Sequence, residues 1–304
     1  MVKKTPHLVQ YQGSKRILAP QILKYMPSRF NKLIEPFSGM AAISIAVAKE
    51  NRAHSFLLND INRPLISLLE ATINKPEELV RKYRSIWEEQ FLGEGSEQSI
   101  NHYYAMRKKF NLGVQTPEMM LYLLARCVKG SVRYGRDGNF NQSPDKRRHG
   151  TKPENIAKNA MEISQLLQGR TAFFNLDYRE ILDSVQPGDI VYMDPPYQGV
   201  SYVRDNRYCS GIIYEDFVNS LDALNRRGID FLVSYDGECG SKTYGESLPF
   251  ELECTKIMLN AGLSSQMLLL GKKQITHEAL YVSKGLGNIA KDKIIKLSFW
   301  SETA

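Results

Sequence analysis

The stretch Leu33-Ile34-Glu35-Pro36-Phe37-Ser38-Gly39-Met40 contains an apolar segment, a turn and the beginning of a helix in direct succession. Residues 32–37 are short and apolar, which is typical of a buried strand, and residues 40–49 (MAAISIAVAK) are predicted to form a helix. A strand that passes through a turn into a helix is the first half of a βαβ unit. Gly39 would allow a ligand to approach the backbone at the helix N-terminus, although an ordinary strand–helix turn often has such a glycine too.

Four further segments have the same short, apolar character and are bounded by polar or turn residues: 55–59, 171–175, 189–193 and 230–234. Near-continuous apolar runs suit a parallel sheet that helices cover on both faces. Residues 17–25 and 214–227 are predicted helices, and residues 278–283 are predicted to form one more strand, antiparallel and at an edge. The sequence therefore predicts an α/β fold with a Rossmann-like sheet.

The interval between the second and third predicted strands is too long for one crossover connection. A βαβ crossover takes roughly 30 residues, and the interval from Asp60 to Thr171 is about four times that length. Apolar residues at helical spacing predict helices at 64–72, 76–91, 100–110 and 117–129, followed by a basic loop or hairpin at 130–153. We therefore predict one domain formed by residues 1–62 and 165–304, and an inserted, mainly helical domain formed by residues 63–164.

Positive charge is concentrated in that insertion. The chain has a formal net charge of +7, and residues 126–152 contain eight Lys or Arg against two acidic residues. Such a segment favours a polyanionic partner.

The sequence gives no sign of a membrane or an oxidising compartment. It has no run of about 18 apolar residues and no signal peptide. Its four cysteines form no C-x-x-C pair, which predicts reduced thiols, no metal site and a cytoplasmic protein.

The tetrapeptide Asp194-Pro195-Pro196-Tyr197 directly follows the predicted strand 189–193, where open α/β sheets bind their ligands. The prolines remove two backbone donors, so a carboxylate, a rigid carbonyl and an aromatic ring are presented together. This set fits an amine that must be held and made nucleophilic, such as adenine N6, with Tyr197 stacked on the base. Asp-Pro-Pro is also a common surface turn, and these residues alone leave that alternative open.

Two weaker motifs lie upstream. Asp60 ends the second strand about 20 residues after Gly39, as an acid that binds ribose hydroxyls would, although a helix N-cap would also explain it. The segment Tyr11-Gln12-Gly13-Ser14-Lys15-Arg16 is a polar turn that, taken alone, indicates only the entry to a helix.

In this order and at these spacings, the motifs resemble the bacterial DNA adenine-N6 methyltransferases of the alpha arrangement, the group that contains the GATC-methylating enzymes. The resemblance extends from about residue 9 to residue 283. It implies a class I methyltransferase sheet, S-adenosylmethionine as the cofactor, and an insertion that recognises double-stranded DNA.

The resemblance also implies a role for each matched position. Asp194, Pro195, Pro196 and Tyr197 would be catalytic, and Asp194 would lie beside both cofactor and target base. Tyr11 and Lys15 would contact the methionine part of the cofactor, Asp60 its ribose and Asp177 its adenine. The same pocket would be lined by Glu35, Pro36, Phe37, Ser38 and Gly39.

The segment Arg133-Tyr134-Gly135-Arg136-Asp137-Gly138-Asn139-Phe140-Asn141 resembles the DNA-contacting hairpin of the GATC enzymes. Arginine suits guanine edges and phosphates, and asparagine suits adenine edges; a solvated charged loop is the alternative. The implied DNA contacts are Arg133, Tyr134, Arg136, Asn139, Asn141, Lys146, Arg147 and Arg148. After Asn141 the sequence departs from the family's Val-Pro-Phe-Gly, so the resemblance implies the chemistry and leaves the recognised DNA sequence open.

We therefore expect a site-specific enzyme that flips an adenine out of duplex DNA and methylates its N6, with a separate restriction endonuclease that acts on the same site. Two alternatives stay open at this point. An RNA or protein-amide methyltransferase would share the cofactor pocket, but those enzymes more often have Asn than Asp before Pro-Pro. A catalytically silent DNA-binding relative would fail to bind S-adenosylmethionine.

Overall fold

The computed structural model describes residues 5–93, 97–196, 212–239, 242–244, 247–263 and 275–290. Its sheet has the strand order β3-β2-β1-β4-β5-β8-β7. Five strands are parallel: β1 (Phe30–Glu35), β2 (Ala53–Asn59), β3 (Thr171–Phe174), β4 (Ile190–Met193) and β5 (Asp230–Cys239). Antiparallel strands complete the sheet: β7 (Thr255–Leu263), β8 (Ile275–Val282) and the short β6 (Lys242–Tyr244), which pairs with the end of β5. The predicted Rossmann-like sheet is confirmed.

Helices cover both faces of the sheet, as predicted. Because side chains alternate along a strand, Leu33 of β1 packs with one apolar cluster and Ile34 with the other. One cluster includes α1 (Ala19–Ile22) and α2 (Ala42–Lys49), and the other includes α8 (Tyr178–Asp183) and α9 (Tyr214–Arg226). The continuous apolar runs of the central strands therefore reflect burial on two sides.

The insertion is helical, and its core is continuous with the cluster on the α1–α2 side of the sheet. It contains α3 (Arg63–Asn74), α4 (Pro76–Glu89), α5 (Gln98–Asn111) and α6 (Pro117–Arg126). A fifth helix, α7 (Pro153–Leu167), packs against α2, α3 and α4 and so connects the insertion to the sheet domain. Helix α7 spans the position at which the sequence places the end of the insertion, so the domain boundary stays a prediction.

The structure corrects several boundaries. The strand predicted at 278–283 is antiparallel, but it lies inside the sheet between β5 and β7 rather than at an edge. The helix predicted at 17–25 is one α-helical turn followed by a 3-10 turn at Leu23–Tyr25. The helix predicted at 117–129 ends at Arg126, because Cys127 has an extended backbone (φ −76°, ψ 162°), and a separate 3-10 turn follows at Val128–Gly130. Across the described residues, no helix is long and apolar enough to cross a membrane.

Candidate active site and nucleic-acid interface

A cleft of about 390 Å³ opens at the carboxyl ends of the parallel strands. Strands β2 and β3 lie on one side of β1 and β4 lies on the other, so the strand order reverses between β1 and β4. This switch point is where open α/β sheets bind ligands. Glu35 ends β1 and Asp194 follows β4, and both line the cleft. All ten predicted cofactor-contact residues line it too: Tyr11, Lys15, Glu35, Pro36, Phe37, Ser38, Gly39, Asp60, Asp177 and Asp194.

A buried asparagine, Asn59, holds the loops around the cleft together. Its Nδ2 donates to the carbonyl oxygens of Pro36 (2.9 Å) and Leu176 (3.0 Å), and its Oδ1 accepts from Leu176 N (2.9 Å). The Asn59 carbonyl accepts a further hydrogen bond from Ser38 N at 2.8 Å. One side chain at the end of β2 therefore fixes the loops that follow β1 and β3. Asn59 is the last residue of the predicted strand 55–59, and no sequence motif indicates this role.

Gly39 and Asp60 are directly connected in the cleft. Gly39 N donates to Asp60 Oδ2 at 3.1 Å, and Asn62 N donates to Asp60 Oδ1 at 2.9 Å. Gly39 has a φ of +50°, and a Cβ at this position would lie 3.2 Å from the Tyr11 ring. Glycine is therefore favoured here both by the left-handed backbone and by the close approach of an aromatic ring. Asp60 does not cap α3, whose N-cap residue is Asn62.

Lys15 joins two carboxylates that are distant in the sequence. Its ammonium lies 3.0 Å from Asp194 Oδ1 and 3.2 Å from Glu278 Oε2 on β8. The Lys15 side chain is only 7% exposed, so little water screens these ion pairs. Glu278 was not among the predicted site residues, because 84 residues separate it from Asp194 and it belongs to no recognisable motif.

Three acids in the cleft, Glu35, Asp60 and Asp194, have pKa values that burial raises. Burial raises the pKa of Glu35 to about 8, opposed by a hydrogen bond from Ser44 N to its Oε1 (2.7 Å) and reinforced by the negative charge of Asp194. Burial raises the pKa of Asp194 to about 6, with Lys15 acting to lower the value and Glu278 to raise it. The cleft thus contains acids whose ionisation a bound cation would favour.

Asp177 lies at the N-terminus of α8 and forms a capping box with Glu180. Its Oδ1 accepts from Arg179 N and Arg179 Nε (both 2.9 Å), and its Oδ2 accepts from Arg179 Nη2 at 3.1 Å. These bonds lower the pKa of Asp177. A carboxylate offers about four acceptor sites, so the cap and a ligand contact are compatible.

Residues 133–141 form a compact hairpin. Backbone hydrogen bonds join Asn141 N to Arg133 O (2.9 Å) and Gly135 N to Asn139 O (2.8 Å). Phe140 is 1% exposed and contacts the rings of Phe110 and Tyr134. The predicted hairpin is therefore anchored by its aromatic residues, which hold its polar tip in a fixed position.

Some polar side chains of the insertion are exposed to solvent, whereas others are partly buried or hydrogen-bonded within the protein. Arg136, Asn141, Lys146, Arg147 and Arg148 are exposed, Arg133 and Tyr134 are half-buried, and Asn139 donates from its side chain to Asp137 Oδ2 at 2.7 Å. Arg126 must be removed from the count of surface charges, because it is 1% exposed and bonds to Gln90, Ser99 and the Asp145 carbonyl. The basic surface is thus formed by fewer cations than the sequence suggests.

Comparison with known proteins gives the family. Residues 11–260 match the family of D12 class N6 adenine-specific DNA methyltransferases, which is most of the chain. The protein belongs to this family. The RNA and protein-amide alternatives are therefore set aside.

Individual relatives share between 26% and 28% of their aligned residues with this methyltransferase in the three comparisons below. It is 28% identical over 213 residues to the retron Ec67 DNA adenine methylase of Escherichia coli, a match that covers 66% of this chain and 69% of the relative. It is 27% identical to the DNA N-6-adenine-methyltransferase of Escherichia phage P1, over 76% of this chain but 30% of that longer protein. It is 26% identical to the type II methyltransferase M1.LlaDCHI of Lactococcus lactis subsp. cremoris, over 74% of this chain and 79% of that protein.

The structure brings most of the methyltransferase's predicted catalytic residues into the cleft. Asp194, Pro195 and Pro196 line it, whereas Tyr197 lies outside the described residues. Tyr134 was predicted to contact DNA, but it also lines the cleft, and its hydroxyl donates to Asn62 Oδ1 at 3.2 Å. The hairpin 133–141 and the cleft are therefore in direct contact.

Proposed function

We propose that this adenine-N6 DNA methyltransferase uses S-adenosylmethionine in the cleft between β1 and β4, and that Asp194 and Pro195 hold the target amine. The observation that carries the proposal is the position of Asp194. It follows β4 at the switch point, in the same cleft as Glu35, Gly39 and Asp60, and its carboxylate is held by a buried lysine.

The residues of the cleft fit this cofactor chemically. Its volume lies within the usual range of small-molecule sites. Asp60 would accept from the ribose hydroxyls, and Asp177 from the amino group of the cofactor adenine. Glu35 and Asp194 supply negative charge suited to a ligand with ammonium and sulfonium groups, and Lys15 suits its carboxylate. Ser38 Oγ is buried and has no hydrogen-bond partner among the described residues, so a polar ligand group would satisfy it.

When bound, S-adenosylmethionine would supply an electrophilic methyl group. The residues of this chain would then have to position the amine, because adenine N6 is a weak nucleophile whose lone pair is delocalised into the ring. The Asp194 carboxylate and the Pro195 carbonyl would each accept one N6 hydrogen, which favours a pyramidal nitrogen. Tyr197 would stack on the flipped base. Most of the acceleration would come from this placement rather than from strong basicity, and the Asp194 carboxylate would stabilise positive charge that develops at N6.

The insertion would bind duplex DNA and hold the flipped adenine over the cleft. The hairpin 133–141 would enter a groove, where Arg133 and Asn141 would contact base edges. Lys146, Arg147 and Arg148 are exposed cations suited to phosphates. Asn139 would read adenine only if it exchanged its hydrogen bond with Asp137.

A partner endonuclease is a separate proposal. One relative is named a type II methyltransferase, and this chain departs from the GATC enzymes after Asn141. We therefore favour a modification role beside a restriction endonuclease that cuts the same DNA sequence, with both enzymes acting in the cytoplasm.

Two measurements test the proposed function. Calorimetric titration with S-adenosylmethionine should give one saturable site, and Asp60→Asn should weaken it, while the exposed-surface variant Glu70→Gln should not. Incubation of mixed-sequence DNA, followed by mapping of modified adenines, should give one short recurrent sequence. Failure to bind the cofactor would instead support the catalytically silent alternative.

A further inference from the structure

The residue that the family resemblance did not identify, Glu278, lies beside the proposed catalytic carboxylate. Glu278 Oε2 is 3.2 Å from Lys15 Nζ, and the same nitrogen is 3.0 Å from Asp194 Oδ1. The two carboxylate oxygens are therefore no more than about 6 Å apart, with one ammonium between them. All three side chains are at least three-quarters buried, so their charges act on one another at close range.

The second carboxylate on Lys15 changes the net charge around Asp194. An ammonium that was paired with Asp194 alone would neutralise the carboxylate that must hold a nitrogen with developing positive charge. A second carboxylate on the same ammonium leaves the trio with a net negative charge and limits how far Lys15 can move toward Asp194. Within the part of the chain that the structure describes, Asp194 also interacts electrostatically with Glu35 at the end of β1 and Tyr192 on β4.

We propose that Glu278 is a positioning residue for methyl transfer: it shares the Lys15 ammonium with Asp194, so that Lys15 does not cancel the negative potential that Asp194 presents to the adenine N6. The inference rests on the proposed role of Asp194. It adds a residue from the antiparallel part of the sheet to a site otherwise formed by the parallel strands and the N-terminal turn.

The charge of Glu278 has a measurable effect on Asp194. At about 6 Å and an effective dielectric constant of about 40, one unit charge shifts a pKa by roughly one unit. Glu278→Gln should therefore move the acid limb of the single-turnover rate to lower pH by roughly one unit. The same loss of negative potential should reduce the plateau rate roughly tenfold. The deficit relative to wild type should shrink as the pH falls, which a merely structural defect would not produce.

The experiment measures single-turnover methyl transfer to DNA against pH, with cofactor and DNA saturating. Glu278→Asp keeps the charge and should retain most of the wild-type profile. Lys15→Gln removes the positive charge and should move the acid limb the opposite way, to higher pH. His277→Gln, next to Glu278 on the same strand, controls for disturbance of β8 and should keep the wild-type profile. Thermal melting of each variant checks that it is folded.

An acid limb that stays in place in Glu278→Gln, or a rate loss that is uniform with pH, would overturn the proposal. Both outcomes leave the proposed function intact as long as the wild-type enzyme methylates adenine N6 and Asp194→Asn does not. Loss of that wild-type activity would refute the proposed function itself, so the two failures are distinguishable.

Discussion

Replacing Glu35 by Gln should stabilise the protein, and increasingly so as the pH rises. The Glu35 carboxyl is 2% exposed, and burial raises its pKa from 4.5 to about 8. Between these two values the folded state binds more protons than the unfolded state, so the free energy of unfolding falls as the pH rises. A neutral amide at the same position has no such dependence, and its oxygen can still accept from Ser44 N.

The magnitude follows from linkage. With one pKa unit equivalent to about 1.4 kcal/mol, holding Glu35 protonated in the folded state while it ionises in the unfolded state lowers the free energy of unfolding by less than about 1 kcal/mol near pH 5 and by up to about 4 kcal/mol near pH 8. Local rearrangement around the charge reduces the larger figure, so Glu35→Gln should gain about 2 to 4 kcal/mol near pH 8. The gain should be accompanied by weaker binding of S-adenosylmethionine, as is common when a functional acid is removed from a buried site.

Urea unfolding followed by circular dichroism, at several pH values between these limits, measures the effect. Glu70→Gln, at an exposed position of α3, is the matched control and should change stability by less than about 0.5 kcal/mol at every pH. A stability difference between Glu35→Gln and wild type that did not grow with pH would refute the reasoning. It would mean that Glu35 is ionised in the folded protein at neutral pH.

Further predictions concern the insertion. Tyr134→Phe removes the hydroxyl that bonds Asn62 and should weaken cofactor binding about 2- to 10-fold in calorimetry. Tyr104→Phe, at an exposed position of α5, is the control and should not change the affinity. Equal affinities of the Tyr134→Phe variant and wild type would show that this hydrogen bond does not couple the hairpin to the cleft. Gly130→Ala should destabilise the protein by more than about 2 kcal/mol in thermal or urea unfolding, because its Cβ would lie 2.0 Å from the Gln10 carbonyl oxygen. Gly138 has a φ of +73°, similar to the +58° of Gly130, but a Cβ added there would meet no atom within 4 Å. Gly138→Ala should therefore lose only about 1–2 kcal/mol of stability, the cost of a left-handed backbone for alanine. Equal losses of stability in the two variants would exclude a steric clash at Gly130. Arg147→Ala should reduce the slope of the logarithm of the DNA-binding constant against the logarithm of salt concentration by about one, the value for one phosphate contact. An unchanged slope would show that Arg147 does not contact the DNA backbone.

Local pattern was enough to predict the sheet and the cleft. The central parallel strands β1, β4 and β5 are buried on both faces over most of their length, so their apolar runs are conspicuous, whereas the edge strand β3 is only half-buried. Glu35 ends β1 and Asp194 follows β4, and these strands end at the same edge of the sheet. The same reasoning could have found α7, since Ile156, Ala160, Ile163 and Leu167 recur at helical spacing after Pro153.

Other features depend on contacts that a linear pattern does not contain. Glu278 becomes part of the site only because β8 pairs with β5, which brings the residue to Lys15. Strand β8 was wrongly predicted at the edge of the sheet, because the segment that forms its outer neighbour β7 was not recognised as a strand. Arg126 counts as a surface cation in the sequence, but Gln90 and Ser99 from two other parts of the insertion bury it.

Nucleoside analysis of DNA treated with wild-type enzyme and with Asp194→Asn tests the central claim most directly. After digestion, mass spectrometry should find N6-methyldeoxyadenosine with the wild-type enzyme, and a reduction of at least about 100-fold with the variant. The variant should remain folded, and its binding of S-adenosylmethionine should weaken far less than its methylation falls, because the amide preserves the shape of the side chain and Glu35 and Glu278 still line this region. A methylated cytosine as the product, or near-normal N6 methylation by Asp194→Asn, would contradict the account.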